Sequence, residues 1–500
     1  MSQQVTIEHI ADNVLLIVFR HYLDACPRLW PRLVHVCRKW RRIVFASRQA
    51  LRLQLSCTHR TPVLKTLECW PDLPIVVQHG GFPVLDSPAP EDEHNIVAAL
   101  QSFDRINSIS LTLTRSLLEK VRFDKPFVEL EDLVLLSQNN VHLTLPSTFR
   151  WGPRLRGLQL TRIAFPTLLP LLSSSRNLVD IQLHDISGIA HLSPETLANT
   201  LSGMSHLQSL SLSSLSTPHR QSYVSQVPVS VERIVLPALT HLKLRGASDF
   251  LDKFLARIDS SCLENTKIAF KECHSNISNY GEIIRWIETQ KSFRRADILS
   301  FENTISISFS QPSAPTCLEL QVSCGTLDQQ LSIMAMICRR LSTFLFGVED
   351  LRINATPLLG GQDNLYGENW ANLICSFERI KCFHIAGDLA TDIVRALRSY
   401  RMGPREMRRA PGPPLPALLE LYVKEPGPSY APLREAVVLL MMSRRLSGRP
   451  IHVAYEQPYI SKHDGTGNTY ARRQHHRLTF FEQGVFLSSV RLSYSQMILF

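Results

Sequence analysis

Side chains able to grip an oxyanion recur on alternate positions of several short apolar phrases. They are His241, Lys243 and Arg245 in one phrase, and Arg352, His384 and Tyr422 at the place matching Lys243 in three later ones. Arginine, lysine and protonated histidine donate charge-assisted hydrogen bonds to carboxylates and phosphates, and tyrosine adds a hydroxyl and an apolar ring. The chemistry on offer is capture of an acidic or phosphorylated segment. Bond-making chemistry has no visible apparatus. The chain contains no G-x-S-x-G, H-E-x-x-H, P-loop or G-x-G-x-x-G pattern. Gly465-Thr-Gly467 reads as a flexible turn, and His475-His476 has no companion at metal-ligand spacing. We expect no enzyme activity, no cofactor and no metal.

The elements that must position these residues repeat. The phrase L-x-x-L-x-L occurs at Leu130-Leu133-Leu135, Leu155-Leu158-Leu160, Leu178-Ile181-Leu183, Leu207-Leu210-Leu212 and Leu239-Leu242-Leu244, with starts 25, 23, 29 and 32 residues apart. Looser copies lie at Ile106-Ile109-Leu111, Val348-Leu351-Ile353, Ile380-Phe383-Ile385 and Leu418-Leu421-Val423. Leu263-Thr266-Ile268 and Leu318-Leu320-Val322 are degenerate. The interval is near the ~20 to 29 residues of a leucine-rich repeat, which this region resembles. Helix-like runs at Pro194 to Leu201, Phe250 to Ile258, Leu327 to Leu345, Leu389 to Tyr400 and Leu433 to Leu446 alternate with the phrases, which implies an irregular solenoid with a parallel strand ladder. The Asn or Cys that usually follows the strand in that family is mostly absent. Strand alternation places the first, fourth and sixth residues of each phrase in the core and the third, fifth and seventh on an exposed face. That face reads Gly157, Gln159, Thr161; Asp180, Gln182, His184; Ser209, Ser211, Ser213; then the basic His241, Lys243, Arg245.

Two apolar stripes at helical spacing occupy the front of the chain. Ile7, Ile10, Val14, Leu15, Ile17, Val18 and Phe19 form one, entered through Thr6 or Asp12, and Leu33, Val36, Cys37, Trp40, Ile43 and Val44 form the other. Cys26-Pro27 and Trp30-Pro31 separate them. Val14, Leu15, Val18, Phe19 and Leu23, followed by Val36, Cys37 and Trp40, resemble the F-box, a small three-helix motif; its usual proline is Ala11 here. The resemblance implies docking on the Skp-family linker subunit of a cullin-type ubiquitin ligase through Ile10, Val14, Leu15, Val18, Phe19, Val36, Cys37 and Trp40. Some of these, Trp40 first, must instead fill the module's own core. Residues 5–47 then form the helical module, 48–95 a Pro-rich linker, 96–456 the solenoid and 457–500 a tail or C-terminal cap.

Composition narrows the classes. A 44% hydrophobic content can bury a large core in a mixed α/β chain of 500 residues. No stretch approaches the ~20 apolar residues needed to span a bilayer, and the front of the chain lacks the pattern of a secretory leader. Eleven scattered cysteines without C-x-x-C read as reduced thiols, so a cytoplasmic or nuclear location is expected and no membrane partner. The net charge of +10 divides into +7 in residues 1–60, +7 in 401–500 and −4 across the rest, which argues against nucleic acid as the partner. Arg38-Lys39-Trp40-Arg41-Arg42 reads as the solvated face of a helix. Two other functions stay open: a repeat scaffold without a ubiquitin role, and a nucleic-acid-associated protein using its basic termini.

Overall fold

A computed structural model describes residues 10–478 except 26–31, 48–51, 70–72, 80–89, 187–192, 216–232, 273–279, 356–366, 400–414, 425–430, 457–461, 464–468, 471–474 and several one- and two-residue stretches. The turn at Trp30-Pro31, the Gly465-Thr-Gly467 turn and the chain ending from Thr479 therefore lie outside the described residues. The chain forms two compact units, one of Met1–Leu242 with Arg257–Cys262 and one of Lys243–Ala256 with Leu263–Phe500.

In the first unit, the helix Asp12–Ala25 begins with its first free amides bonded to the Ala11 carbonyl, so the helix starts without a proline. The second apolar stripe breaks at Cys37, whose backbone is extended, into Leu33–Val36 and Arg38–Ala46. The Cys37 sulfur accepts the Trp40 amide at 3.5 Å and caps the third helix. The basic run clasps the rest of the module. Lys39 Nζ donates to the Ile10 carbonyl at 2.6 Å, Lys39 and Arg42 approach Asp12 at 3.5 and 3.6 Å, and Arg41 Nε donates to the Val34 carbonyl at 3.1 Å.

Beyond the module, seven strands run parallel in chain order: Leu53–Ser56, Ile75–Gln78, Ile106–Leu113, Asp132–Ser137, Gly157–Thr161, Asp180–His184 and Ser209–Leu215. The first two lie inside the Pro-rich 48–95 segment, so the ladder begins before residue 96. Their alternating burial, Leu53 and Leu55 then Ile75 and Val77, is the period-2 signal of a half-buried strand. Helices Pro90–Leu100, Leu168–Ser174 and Pro194–Leu201 separate some of the strands. Among the described residues between Asp132–Ser137 and Gly157–Thr161 no helix intervenes; the aromatic rings of Phe123, Phe127, Phe149, Trp151 and Phe165 form a cluster beside this connection, Phe149 lying 5.1 Å from Phe123 and 5.6 Å from Phe165.

The repeat has a backbone signature. The carbonyl just ahead of one strand accepts two amides from the start of the next: Glu131 from Arg156 and Gly157, Arg156 from Val179 and Asp180, and Val179 from Gln208 and Ser209. A second mark lies at the far end of the strand. The sixth residue is left-handed in three successive repeats, Arg162 (φ 57°), Asp185 (φ 53°) and Ser214 (φ 62°). An L-residue held there carries about 1–2 kcal/mol of backbone strain. Side-chain bonds hold the series: Asp185 accepts from the Ser214 hydroxyl and lies 3.7 Å from Arg162 Nε.

In the second unit the ladder runs Asn265–Glu272, Ala314–Val322, Thr304–Gln311, Arg295–Phe301, Asp350–Ala355, Cys382–Ala386, Glu420–Lys424 and His452–Glu456. Thr304–Gln311 is antiparallel to both of its neighbours and the other strands in this series pair in parallel. Helices Leu327–Arg340, Gly367–Ile374, Ala390–Ser399 and Ala431–Leu446 pack side by side around a core that includes Trp370, Phe377 and Phe383. The first of them opens with a capping box, Thr326 and Gln329 exchanging side-chain and backbone bonds. The carbonyl signature recurs at Arg294, Glu349 and Lys381, and the left-handed position at Gly387 (φ 90°). Each unit is a mixed α/β fold built on a mainly parallel strand ladder.

Candidate partner-binding surfaces

The helical module separates its apolar residues into two sets. Leu15 and Phe19 are 2% and 0% exposed, with Leu33, Val34, Ile43 and Val44 beside them in the module's buried set. Trp40 packs edge-on to Phe19 at 4.7 Å and is half-buried. Val14, Ile17, Val18 and Val36 are 47%, 55%, 50% and 52% exposed, and Cys37 is exposed as well. Of the eight residues expected to dock a linker, Leu15 and Phe19 therefore serve the interior, while Val14, Val18 and Val36 present apolar surface and Ile10 is half-buried. Ile17 was not among the eight, although its place in the same stripe was visible.

The basic phrase behaves as its alternation requires. His241, Lys243 and Arg245 are exposed and Leu242 and Leu244 buried along the strand His241–Ala247. His241 Nδ1 lies 2.8 Å from the Thr240 hydroxyl. The compact-unit boundary falls inside this strand, with His241 in the first unit and Lys243 and Arg245 in the second.

The second unit brings Arg352, His384 and Tyr422 into one transverse row. Strand register sets Lys267, Glu319, Ser308, Asp297, Arg352, His384 and Tyr422 side by side across seven strands. The neighbouring row sets Arg295, Asp350, Cys382 and Glu420 abreast. Opposite charges pair within and between the two rows. Lys267 meets Glu319 at 2.6 Å, Arg295 meets Asp350 at 3.0 Å, and Arg352 lies 3.4 Å from Asp350 and 4.0 Å from Asp297. Half-exposed pairs of this kind contribute at most about 1 kcal/mol each, so they shape a surface more than they hold the fold. Arg352 accordingly acts as one member of an ion-pair network, not as an isolated cation.

Cys382, His384 and Asp350 lie close enough to invite comparison with a nucleophilic triad. The electrostatics oppose it. Burial pushes the Cys382 thiol above its ordinary range, and the Glu420 and Asp350 carboxylates push it further the same way, with Glu420 Oε2 3.7 Å from the sulfur. A catalytic thiol needs the reverse. Burial likewise raises the Asp297 carboxyl, only partly opposed by Arg352 and Arg295. Among the described residues no group of three or more His, Cys, Asp or Glu side chains is placed to hold a metal ion.

Asp297, Arg295, Lys267 and Glu319 were not anticipated from the sequence. The strands Arg295–Phe301 and Thr304–Gln311 lack the leucine phrase, but Ile305-Ser-Ile307-Ser-Phe309 carries a strict period-2 pattern that identifies a strand by itself.

No family model matches this chain, and a search of curated proteins finds no match. Among solved structures, the chain is similar at a TM-score of 0.30 and 11% identity to the one titled "Crystal structure of TLR13-ssRNA13 complex". That likeness covers 74% of this chain and 42% of the other, so the chain spans less than half of its length. No helix among the described residues is long and apolar enough to cross a membrane.

Proposed function

We propose that this chain is a non-enzymatic substrate-recognition adaptor of an SCF-type ubiquitin ligase. Its helical module would dock the Skp-family linker subunit and, through it, the cullin scaffold. The repeat ladder would hold a protein substrate. The observation that carries the reading is the exposed apolar set Val14, Ile17, Val18 and Val36 on a three-helix module whose own core is already filled by Leu15, Phe19 and Ile43. Apolar side chains left half-exposed on a helix favour a partner's groove. Tethering a substrate beside a ubiquitin-loaded enzyme raises the effective concentration of its lysines without any chemistry in the adaptor.

The test is co-purification with the linker subunit. Val14→Asp with Val18→Asp should abolish capture while the melting temperature stays within a few degrees, because both side chains already face solvent. Failure of the wild-type chain to retain the linker sinks the ubiquitin reading and leaves a repeat scaffold for protein interactions. The basic residues of the module favour a protein partner over nucleic acid, since Lys39, Arg41 and Arg42 engage Ile10, Val34 and Asp12. The half-exposed row of Arg352, His384 and Tyr422 in one unit and the exposed His241, Lys243 and Arg245 on the basic strand would be the surfaces for the substrate.

A further inference from the structure

A groove of about 520 Å³ lies at the N-terminal edge of the first unit's ladder, away from the strand face assigned above. It is built by repetition. Each strand is preceded by a buried leucine, Leu155, Leu178 or Leu207, and the groove is lined by the residues on either side of it: Arg154 and Arg156, Asn177, and His206 and Gln208. Glu131 ahead of the previous strand closes the row. Because successive rungs stand about 4.8 Å apart, a groove crossing four repeats is roughly 15–20 Å long, the length of about five or six residues of extended peptide.

Its charges are partly spent and partly unspent. Arg154 binds Glu129, and Glu131 is bound by Arg52 at 2.7 Å. The side chains of Arg156 and His206 have no hydrogen bond or ion pair among the described residues. Asp132 and Asp180 are further carboxylates nearby, and burial raises Asp132 above its ordinary range in spite of the Arg52 and Arg156 charges. The carbonyls of Glu131, Arg156 and Gln208 are already saturated by two amides each, so the groove offers mainly side-chain donors. No Phe, Tyr or Trp ring lines it, and those are the rings on which the bases of a single-stranded nucleic acid stack best.

We propose that this groove seats an extended, oxyanion-bearing segment of a partner protein, with phosphate or carboxylate groups on Arg156 and His206 and the peptide backbone on Asn177 and Gln208. The proposal rests on the reading of the ladder as a partner-holding scaffold and is independent of linker docking. A guanidinium gives two parallel donors to either oxyanion, and the doubly charged phosphate gains more from it than a carboxylate does.

The experiment uses the full-length chain and three fluorescein-labelled decapeptides of one Ser/Gly-based sequence, carrying two phosphoserines, two glutamates or two serines, read by fluorescence anisotropy. Binding in the order phosphoserine, glutamate, serine is expected, weakening as salt rises. Arg156→Gln should weaken the phosphopeptide by tenfold or more. Asn177→Arg, which adds a cation to the same row, should strengthen it severalfold, a gain that misfolding cannot mimic. Arg162→Gln, at the opposite end of the strand, should leave it unchanged. Equal binding of the three peptides, indifference to both groove variants, or a preference for a single-stranded RNA decamer over the phosphopeptide would overturn the proposal. Linker capture is read separately, so a failure here leaves the adaptor reading standing.

Discussion

The imidazole of His384 lies flat against the ring of Tyr422, centroids 4.3 Å apart and planes 7° from parallel, while the tyrosine hydroxyl donates to Glu420 at 2.6 Å. The stack is possible because parallel strands in register bring the fifth positions of adjacent repeats face to face. It presents a rigid aromatic step between Arg352 and the last strand of the row, with little entropy left to lose on binding. If this face holds the substrate proposed above, Tyr422→Ala should cut its capture by the full-length chain at least tenfold while shifting the melting temperature by no more than a few degrees. A melting shift without a capture defect would make the stack structural only.

Beside that stack sits a slow thiol. Burial, Glu420 and Asp350 all hold the Cys382 proton on, so its thiolate fraction at a given pH is smaller than that of an ordinary thiol. Alkylation at pH 8, followed by peptide mass mapping, should label Cys382 about tenfold more slowly than the exposed Cys262. Glu420→Gln should accelerate it.

Glu93 ties the helix Pro90–Leu100 to the helix Arg115–Lys120. Its carboxylate receives Lys120 Nζ at 2.6 Å, Thr114 Oγ1 at 2.7 Å and Ser116 Oγ at 2.8 Å, and Thr114 in turn caps the helix Arg115–Lys120 through the Leu117 amide. Burial pushes this carboxyl up, but the three bonds and the Lys120 charge outweigh it and hold the group below its ordinary range. A carboxyl depressed in the fold adds stability that is complete above the unfolded-state value and is lost as pH falls through the folded one. Stability should therefore decline as pH drops below the ordinary glutamate value of 4.5. Glu93→Gln should cost about 1–3 kcal/mol at pH 7 by denaturant titration and flatten that acid slope.

The left-handed position offers opposite substitutions. Gly387→Ala adds a methyl at φ 90° that would stand 2.2 Å from the Ala355 carbonyl oxygen, so a loss of more than about 2 kcal/mol is expected. Ser214→Gly relieves strain of up to about 1–2 kcal/mol but forfeits the bond to Asp185, so its net effect should stay within about 1 kcal/mol of zero. Denaturant midpoints of the two variants check the contrast. A tolerated alanine at 387 would contradict the geometry.

One carboxylate caps a helix from outside it. Asp252 accepts the amides of Glu282 and Ile283 at 2.8 and 2.9 Å, supplying the acceptor that Tyr280 at the N-cap does not. Asp252→Ala should cost about 1–2 kcal/mol, and amide exchange should quicken first in Gly281–Glu288.

Much of this was legible in the leucines. Every phrase from Leu130 to Leu239 predicts a strand that starts two residues after its first leucine, and Pro194 to Leu201 matches a helix at both ends, because Ser193 and Pro194 are local capping signals. The row Arg352, His384 and Tyr422 followed from spacing alone. Its acidic half did not, since Asp297 joins it through the pairing of Arg295–Phe301 with a strand fifty-five residues later, and no local pattern encodes such a partner. The first rungs were obscured for a related reason. Proline pairs at Thr61-Pro62 and Leu73-Pro74 mark turns, and strands of four residues between turns resemble connecting chain until their partners are known. Cys37 shows a third kind of difficulty, because one extended residue and a sulfur acceptor divide what periodicity alone joins into a single helix.

The reversed strand Thr304–Gln311 has a geometric consequence. Arg295–Phe301, Thr304–Gln311 and Ala314–Val322 follow one another as an antiparallel meander with no helix between them, so two strands stand between Ala314–Val322 and Asp350–Ala355 without a crossover. Each inserted rung widens the sheet by about 4.8 Å. The ion pair Lys267–Glu319 is thereby set two strand spacings further from the Arg352, His384 and Tyr422 step than an uninterrupted repeat would place it. The reversed strand is thus a spacer within the ladder, and the register of the strands on either side of it is kept while their separation grows.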